Sequence, residues 1–289
     1  MSERDDGGMT EGQIVRLLTD VYRATGLDFR EYSETMVKRR IVRRFKKWEA
    51  AREGELPQEG GGRQRMLEQL AADLLIHVTE LFRDPSMYRA LREKAIPSFA
   101  RLPHVRIWIA GCATGEEVYS LAIMLHEAGL LPRCTLYATD VSEAALQEAC
   151  RGIIHPAKYD IYERNYAAAG GTGALDDYVE TVGAERKFRS FLRDSVVFSR
   201  HDLARDGVFH EFDAISCRNV MIYFNAELKA KVNRKLFDSL KPGGYFILGG
   251  KESIRFTEQE AEFETIDANG KIYKKREGGD VHVRSRRQN

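Results

Sequence analysis

Val105-Arg-Ile-Trp-Ile-Ala110-Gly-Cys-Ala-Thr-Gly115-Glu-Glu-Val-Tyr-Ser120 passes from one type of secondary structure to another within sixteen residues. Its first six residues are a β-branched and aromatic run of strand length, and from Val118 to Glu127 the apolar positions recur at helical spacing. Gly111 and Gly115 bound the turn between them. A strand, a glycine turn and a helix form the geometry of a nucleotide site, where backbone approaches a ligand because no Cβ intervenes. On its own the pattern also fits an ordinary strand-to-helix turn. The next run, Thr135 to Thr139, ends at Asp140, about 25 residues downstream of Gly115. There a carboxylate can accept both hydroxyls of a ribose. Asp140 also suits a helix N-cap, as does Ser142. The turn lacks GxGxxG, and Glu116 with Glu117 at the helix start would repel a pyrophosphate. A cationic sulfonium amino acid suits those acids better.

Further runs of the same character, Val196 to Ser199, Phe212 to Ser216 and Tyr245 to Leu248, alternate with helical stretches. This implies an α/β fold, a parallel Rossmann-like sheet with helices on both faces. Upstream, Gln13 to Leu91 is helical in pattern, broken from Glu53 to Arg65 by Pro57, Gly60, Gly61 and Gly62, which implies a loop between two helices. The expected domains are an N-terminal helical domain over 10–95, a nucleotide-type domain over 96–276 with an interruption at about 152–195, and a polar, basic, disordered tail over 277–289.

The chain has 289 residues, 43% of them hydrophobic, enough for a sizeable core, and its 45 Lys plus Arg nearly balance 44 Asp plus Glu. No global charge bias favours nucleic acid or membranes, so neither is an expected partner. The four cysteines form no CxxC pair, no apolar stretch near the N-terminus is long enough for export or membrane insertion, and no Cys/His set has zinc-ligand spacing. A cytoplasmic protein without a metal is expected.

Four ordered segments, Leu74-Leu-Ile-His-Val-Thr79-Glu-Leu-Phe-Arg83-Asp-Pro, Ile107 to Ser120, Ala138-Thr-Asp140 and Cys217-Arg-Asn-Val-Met-Ile-Tyr-Phe224, resemble the signatures of CheR-type chemotaxis receptor methyltransferases. Lys241-Pro-Gly-Gly-Tyr-Phe and Gly249-Gly-Lys-Glu-Ser253 continue the likeness, which runs from about Thr10 to Lys275. The resemblance implies a class I methyltransferase sheet behind the helical domain, with a small antiparallel β insertion in the 152–195 interruption. It also implies S-adenosylmethionine as cofactor, S-adenosylhomocysteine as product, and methyl esterification of glutamates on the cytoplasmic helices of a chemoreceptor by a monomeric enzyme. Carried over residue by residue, the cofactor contacts fall on Thr79, Arg83, Glu117, Asp140, Asp202, Leu203, Asn219 and Val220, and the glycine turn adds Gly111 to them. Glu117 meets the methionine amino end, Asp140 the ribose, and Asp202 with Asn219 the adenine and its surroundings. Asp202 stands where the family usually has Asn, and Leu81 where it has the first of two aromatics.

A glutamate carboxylate, with an ordinary pKa of about 4.3, is already ionised at neutral pH, so its methylation needs no general base. It needs a cation or hydrogen-bond donor to hold it in line with the sulfonium, and a pocket closed to water. Arg83 is the first candidate for that hold and Tyr223 the second; otherwise Arg83 would serve as a salt bridge or cap and Tyr223 as a half-buried loop aromatic. His201 beside Asp202 resembles a base and its orienting acid, but no nucleophile signature accompanies them. Methylation of another carboxylate or of nitrogen, and cofactor binding without catalysis, are the competing readings. Cys217-Arg-Asn-Val lacks the prolines of a nitrogen-methylating loop.

Between Met36 and Trp48, Val37, Ile41, Phe45 and Trp48 share one helical face, while Arg39, Arg40, Arg43, Lys46 and Lys47 are expected on the other. That basic face is either solvated surface or a dock for an acidic receptor helix. Family members that grip a peptide tether at the receptor's C-terminus have a longer glycine-rich loop than the single-glycine turn at Gly183. The expectation is methylation without a tether, unless Gly170, Gly171 and Gly173 supply the missing flexibility.

Overall fold

The computed structural model describes residues 9–50 and 61–277. They divide into two compact units, one running to Val78 and taking in Met221–Lys231, the other formed by Thr79–Val220 and the residues from Val232 onward. The boundary expected at 95 therefore falls at 78. Helices that follow it bury Met87, Tyr88, Leu91 and Phe99 in the same core as the sheet residues Val105 and Ile107.

In the first unit, α1 (Glu11–Thr25) begins at a capping box between Thr10 and Gln13 and ends at Gly26, whose φ of 73° is the left-handed conformation of a helix C-terminus. Helices α2 (Glu34–Ala50) and α3 (Gly61–Leu74) complete it. Val21, Phe29, Ile41, Trp48, Leu70 and Leu74 are buried together. Gly61 to Arg65, expected in a loop, form the first turn of α3; the rest of that expected loop from 53 onward lies outside the described residues, as does the tail beyond Glu277.

The second unit opens with α4 (Pro85–Lys94) and the single turn α5 (Ile96–Phe99). Then come β1 (Val105–Ala110), α6 (Glu116–Glu127), β2 (Cys134–Asp140) and α7 (Glu143–Arg151). The interruption holds β3 (Ile153–Ile154), α8 (Tyr159–Ala168), β4 (Val179–Val182), β5 (Glu185–Phe188) and the turn α9 (Ser190–Arg193). Its strands form a separate antiparallel sheet ordered β3-β5-β4. The main sheet is completed by β6 (Val196–Arg200), β7 (Phe212–Cys217), β8 (Leu240–Leu248), β9 (Phe263–Asp267) and β10 (Ile272–Lys275), with α10 (Ala226–Asp238) leading into β8.

The main sheet runs β6-β2-β1-β7-β8-β10-β9. Its first five strands are parallel, and β10 is antiparallel to both neighbours. From β1 the chain moves outward through β2 to β6, then returns to the other side of β1 as β7. This is a Rossmann-like sheet whose order reverses between β1 and β7, and ligands bind such sheets beyond the carboxyl ends at that reversal. Every residue of β7 is buried, as an interior parallel strand covered on both faces requires.

Candidate functional site

Gly111 follows the last residue of β1 with φ +78°, and its N–H donates to Thr139 O at 2.8 Å, which fastens the turn to the neighbouring strand. A Cβ at Gly111 would meet Val220 Cγ2 at 2.5 Å, so only glycine fits there. Gly115, φ +93°, has a different task. A Cβ there would lie 2.9 Å from Ala149 Cβ on α7, so this glycine serves helix packing rather than ligand approach.

Asp140 closes β2 and is buried. Its Oδ2 accepts from Ala113 N–H and its Oδ1 from Ser142 N–H, both at 2.9 Å. The cap of α7 is Ser142, whose Oγ accepts from Ala145 N–H. Asp140 is thus held by the glycine turn on one side and the α7 entry on the other.

Glu116 and Glu117, read together as an acidic helix start, part company. Glu116 accepts from Thr114 Oγ1, Lys158 Nζ and Tyr162 Oη at 2.6, 3.0 and 2.7 Å, so its charge is met inside the protein. Glu117 turns toward the carboxyl end of β7. It accepts from Ser216 Oγ and, at 3.0 Å, from Arg218 Nη1. Asn219, in the left-handed region at φ 60°, and Val220 donate their N–H groups to Glu252 at 2.7 and 3.1 Å, and Gly249 N–H joins them at 2.8 Å. One buried carboxylate thereby closes the strap that follows β7 onto the end of β8. Asp202 and Leu203 follow His201, whose N–H donates to Asp140 O at 3.1 Å. Asp202 Oδ1 accepts from Ala204 N–H at 2.8 Å, a local turn, and Lys235 Nζ donates to Leu203 O.

Gly111, Glu117, Asp140, Asn219, Val220 and the Asp202 turn therefore gather at the carboxyl ends of β1, β2 and β7. Arg83 is joined to them through its carbonyl, which accepts from Arg218 Nη2 at 2.9 Å. Thr79 begins the same unit, half-buried, four residues before Arg83. Leu81 is fully buried in the core and its carbonyl accepts from Asn165 Nδ2, so it does not line a pocket wall. His201 packs edge-on against Trp108 and its Nε2 meets Gly207 O, an arrangement for packing rather than base catalysis. Tyr223 belongs to the other unit, packed on the helical core, with its carbonyl accepting from Ser33 N–H.

On α2, Arg39, Arg43, Lys46 and Lys47 are exposed and line, with Val42, a surface concavity of about 460 Å³. Arg40 departs from the expected basic face. At 100° per residue it lies beside the apolar stripe rather than opposite it, and its Nη1 donates to Asp73 O on α3 at 2.6 Å, while Arg44 pairs with the Asp73 carboxylate.

Two family models match the sequence: CheR methyltransferase, SAM binding domain, over residues 77–272, and CheR methyltransferase, all-alpha domain, over residues 13–55. The chain belongs to the CheR methyltransferase family. CheR relatives include a putative methyltransferase Cher3 of Pseudomonas putida, 38% identical over 266 residues and covering 92% of this chain and 97% of that one. A chemotaxis protein methyltransferase of Listeria innocua is 32% identical, covering 81% and 87%. An uncharacterised 104.1 kDa protein of Rhodobacter capsulatus is 29% identical across 97% of this chain, which spans only 29% of that longer protein.

The donor set fits the S-adenosylmethionine that CheR domains bind. Glu117 would meet the cationic amino acid of the cofactor and the Asp140 carboxylate its ribose, while the space beside Gly111 is taken by the Val220 side chain. Among the described residues no group of three or more His, Cys, Asp or Glu could hold a metal ion, and no helix is long and apolar enough to cross a membrane. Sequence reading passed over Arg218, Ser216 and Glu252. Arg218 carried a visible signal, since a charged residue directly after the apolar strand Phe212–Cys217 needs several partners to be tolerated.

Proposed function

We propose that this CheR protein esterifies glutamate side chains on the cytoplasmic helices of a chemoreceptor. The cofactor supplies an electrophilic methyl group on a sulfonium. What the chain itself must supply is a grip on the acceptor carboxylate and a dry, fixed geometry, because the carboxylate arrives ionised. The observation that carries the reading is the attachment of Arg83 to the cofactor cluster: its carbonyl shares the Arg218 guanidinium with Glu117. A guanidinium beside the cofactor site can take a carboxylate through two parallel hydrogen bonds, and it offers no basic lone pair that would favour a protonated acceptor. Tyr223 is assigned by resemblance alone. The exposed cations of α2 complement a receptor helix that carries acids. The names of the Listeria and Vibrio relatives, chemotaxis protein methyltransferases, support the same substrate class.

A carboxyl ester separates this reading from nitrogen methylation. With labelled cofactor and a receptor cytoplasmic fragment, the label is expected to enter the protein and leave as methanol on mild base treatment. Label that survives base would overturn the carboxylate assignment, and cofactor binding without label transfer to any receptor fragment would favour a regulatory protein.

A further inference from the structure

Arg83 sits between two residues in backbone conformations that L side chains seldom adopt: Phe82 at φ 49° and Asp84 at φ 61°. Such positions persist where surrounding contacts over-determine them, and here each has a dedicated contact. Phe82 N–H donates to the buried Ser120 Oγ at 2.7 Å, and Ser120 Oγ donates to Glu116 O at 2.7 Å. Asp84 occupies the N-cap of α4 but makes no cap hydrogen bond; its Oδ2 accepts from Arg218 Nη2 at 2.8 Å instead. Capping is what an Asp at that position ordinarily does, so its carboxylate has been turned to another task.

Both shoulders of the Arg83 turn are therefore tied to α6, one to Ser120 and through it to the Glu116 carbonyl, the other through Arg218 to the Glu117 carboxylate. The Arg218 side chain is 1% exposed and divides its two Nη groups among Glu117 Oε2, Asp84 Oδ2 and the Arg83 carbonyl, with the Tyr88 ring 5.6 Å away. Burial opposes its charge, and Glu117, Tyr88 and Asp84 together outweigh that and raise its pKa. A guanidinium suits this place because its donors are fixed in one plane, whereas an ammonium presents a single rotating centre.

We infer that Arg218, Asp84 and Ser120 are positioning residues that clamp the Arg83 turn to the cofactor-binding acid Glu117, so that cofactor binding stiffens the group that grips the substrate carboxylate. This rests on the reading of Arg83 as the carboxylate holder. Coupling of this kind is reciprocal, so the bound acceptor also tightens the cofactor.

Arg218→Ala would leave Glu117 unpaired in the interior and can fail by unfolding. Asp84→Asn is the better probe, because the Asp84 side chain is 52% exposed and Asn tolerates the left-handed conformation. The first readout needs no substrate: hydrogen exchange of residues 80–84 with and without S-adenosylmethionine. The wild type is expected to gain protection there on adding cofactor, and Asp84→Asn to lose most of that gain while its melting temperature stays near the wild type. Equal gains in both proteins would overturn the clamp. The second readout is turnover. Asp84→Asn should lower kcat about tenfold or more while leaving cofactor Kd within about threefold, and in an Arg83→Ala background it should cost less than about twofold further. Losses that multiply in the double variant would show that Asp84 acts independently of Arg83 and would overturn the proposal. If the wild type methylates no receptor, the functional reading fails, and the exchange experiment still decides the clamp.

Discussion

At the scale of single residues, the two acids of the site differ in what they are bound to. Asp140 is fixed by two backbone N–H groups, Glu117 by a serine hydroxyl and a buried arginine. Each is expected to hold the cofactor through charge-assisted hydrogen bonds, whose loss costs roughly 1.5 to 3 kcal/mol, about a 10- to 150-fold weakening. Asp140→Ala and Glu117→Ala should show that weakening in isothermal titration with S-adenosylmethionine. Arg83→Ala should keep most of the affinity and lose turnover. An unchanged Kd in Asp140→Ala would remove the ribose assignment. Most of these positions were legible as motif residues, because a glycine after a strand and an acid at the next strand's end carry chemical meaning in sequence alone. Arg218 and Glu252 were harder to read, since their work is to hold backbone groups and other side chains; the charge directly after β7 signals that Arg218 needs partners without naming them, and Glu252 carries no such signal.

Among elements, α2 divides its cations by angle. Arg39, Arg43, Lys46 and Lys47 point outward, whereas Arg40 and Arg44 stitch α2 to α3 through Asp73. Reversing Arg39 and Arg43 to Glu should raise the receptor KM and flatten its dependence on salt, with cofactor Kd unchanged, since exposed charges act on encounter and are screened. Loss of cofactor binding in that variant would make the helix structural. Arg40→Glu should instead lower the melting temperature. The amphipathic pattern made the helix readable, but assigning Arg40 to the outer face overlooked how far a long side chain at the border of the apolar stripe can reach. In the insertion, Gly183 turns at φ 63° directly between β4 and β5. The glycines at 171 and 173 are packed rather than loose: a Cβ at Gly171 would strike the Tyr166 ring at 2.3 Å, and Gly173 N–H donates to Tyr166 Oη. Neither is a spare flexible loop. Methylation of a receptor lacking its last residues should therefore match that of the full-length receptor below the Michaelis constant; a large drop on truncation would show that a tether is used.

For the molecule as a whole, the alternation of strands and helices after Pro103 was plain in sequence, while β9 and β10 were not. Phe263–Asp267 is a short, half-exposed edge strand and Ile272–Lys275 a four-residue antiparallel strand between it and β8, and neither has the apolar run that marks an interior parallel strand. The boundary at 78 was also hidden, because α4 and α5 are helices that pack on the sheet, and periodicity reports helix type rather than the core it joins. One consequence of burial spans the fold. Burial pushes the thiols of Cys112 and Cys217 well up and that of Cys134 to about 11, and it raises the Tyr88 and Tyr119 hydroxyls. The folded chain keeps protons that the unfolded chain begins to release near about pH 8.5, so stability is complete below that and falls as pH rises toward the folded values. Denaturation midpoints should be level from pH 7 to 8 and decline above about 8.5; a midpoint rising with alkalinity would contradict this. Glutamate esterification leaves a product that can be mapped. After reaction with S-adenosylmethionine, mass spectrometry of a receptor cytoplasmic fragment should find single methyl groups on glutamate side chains, absent when Arg83→Ala replaces the wild type, whereas methyl groups confined to nitrogen, or an unmodified receptor in the presence of cofactor-saturated protein, would contradict it.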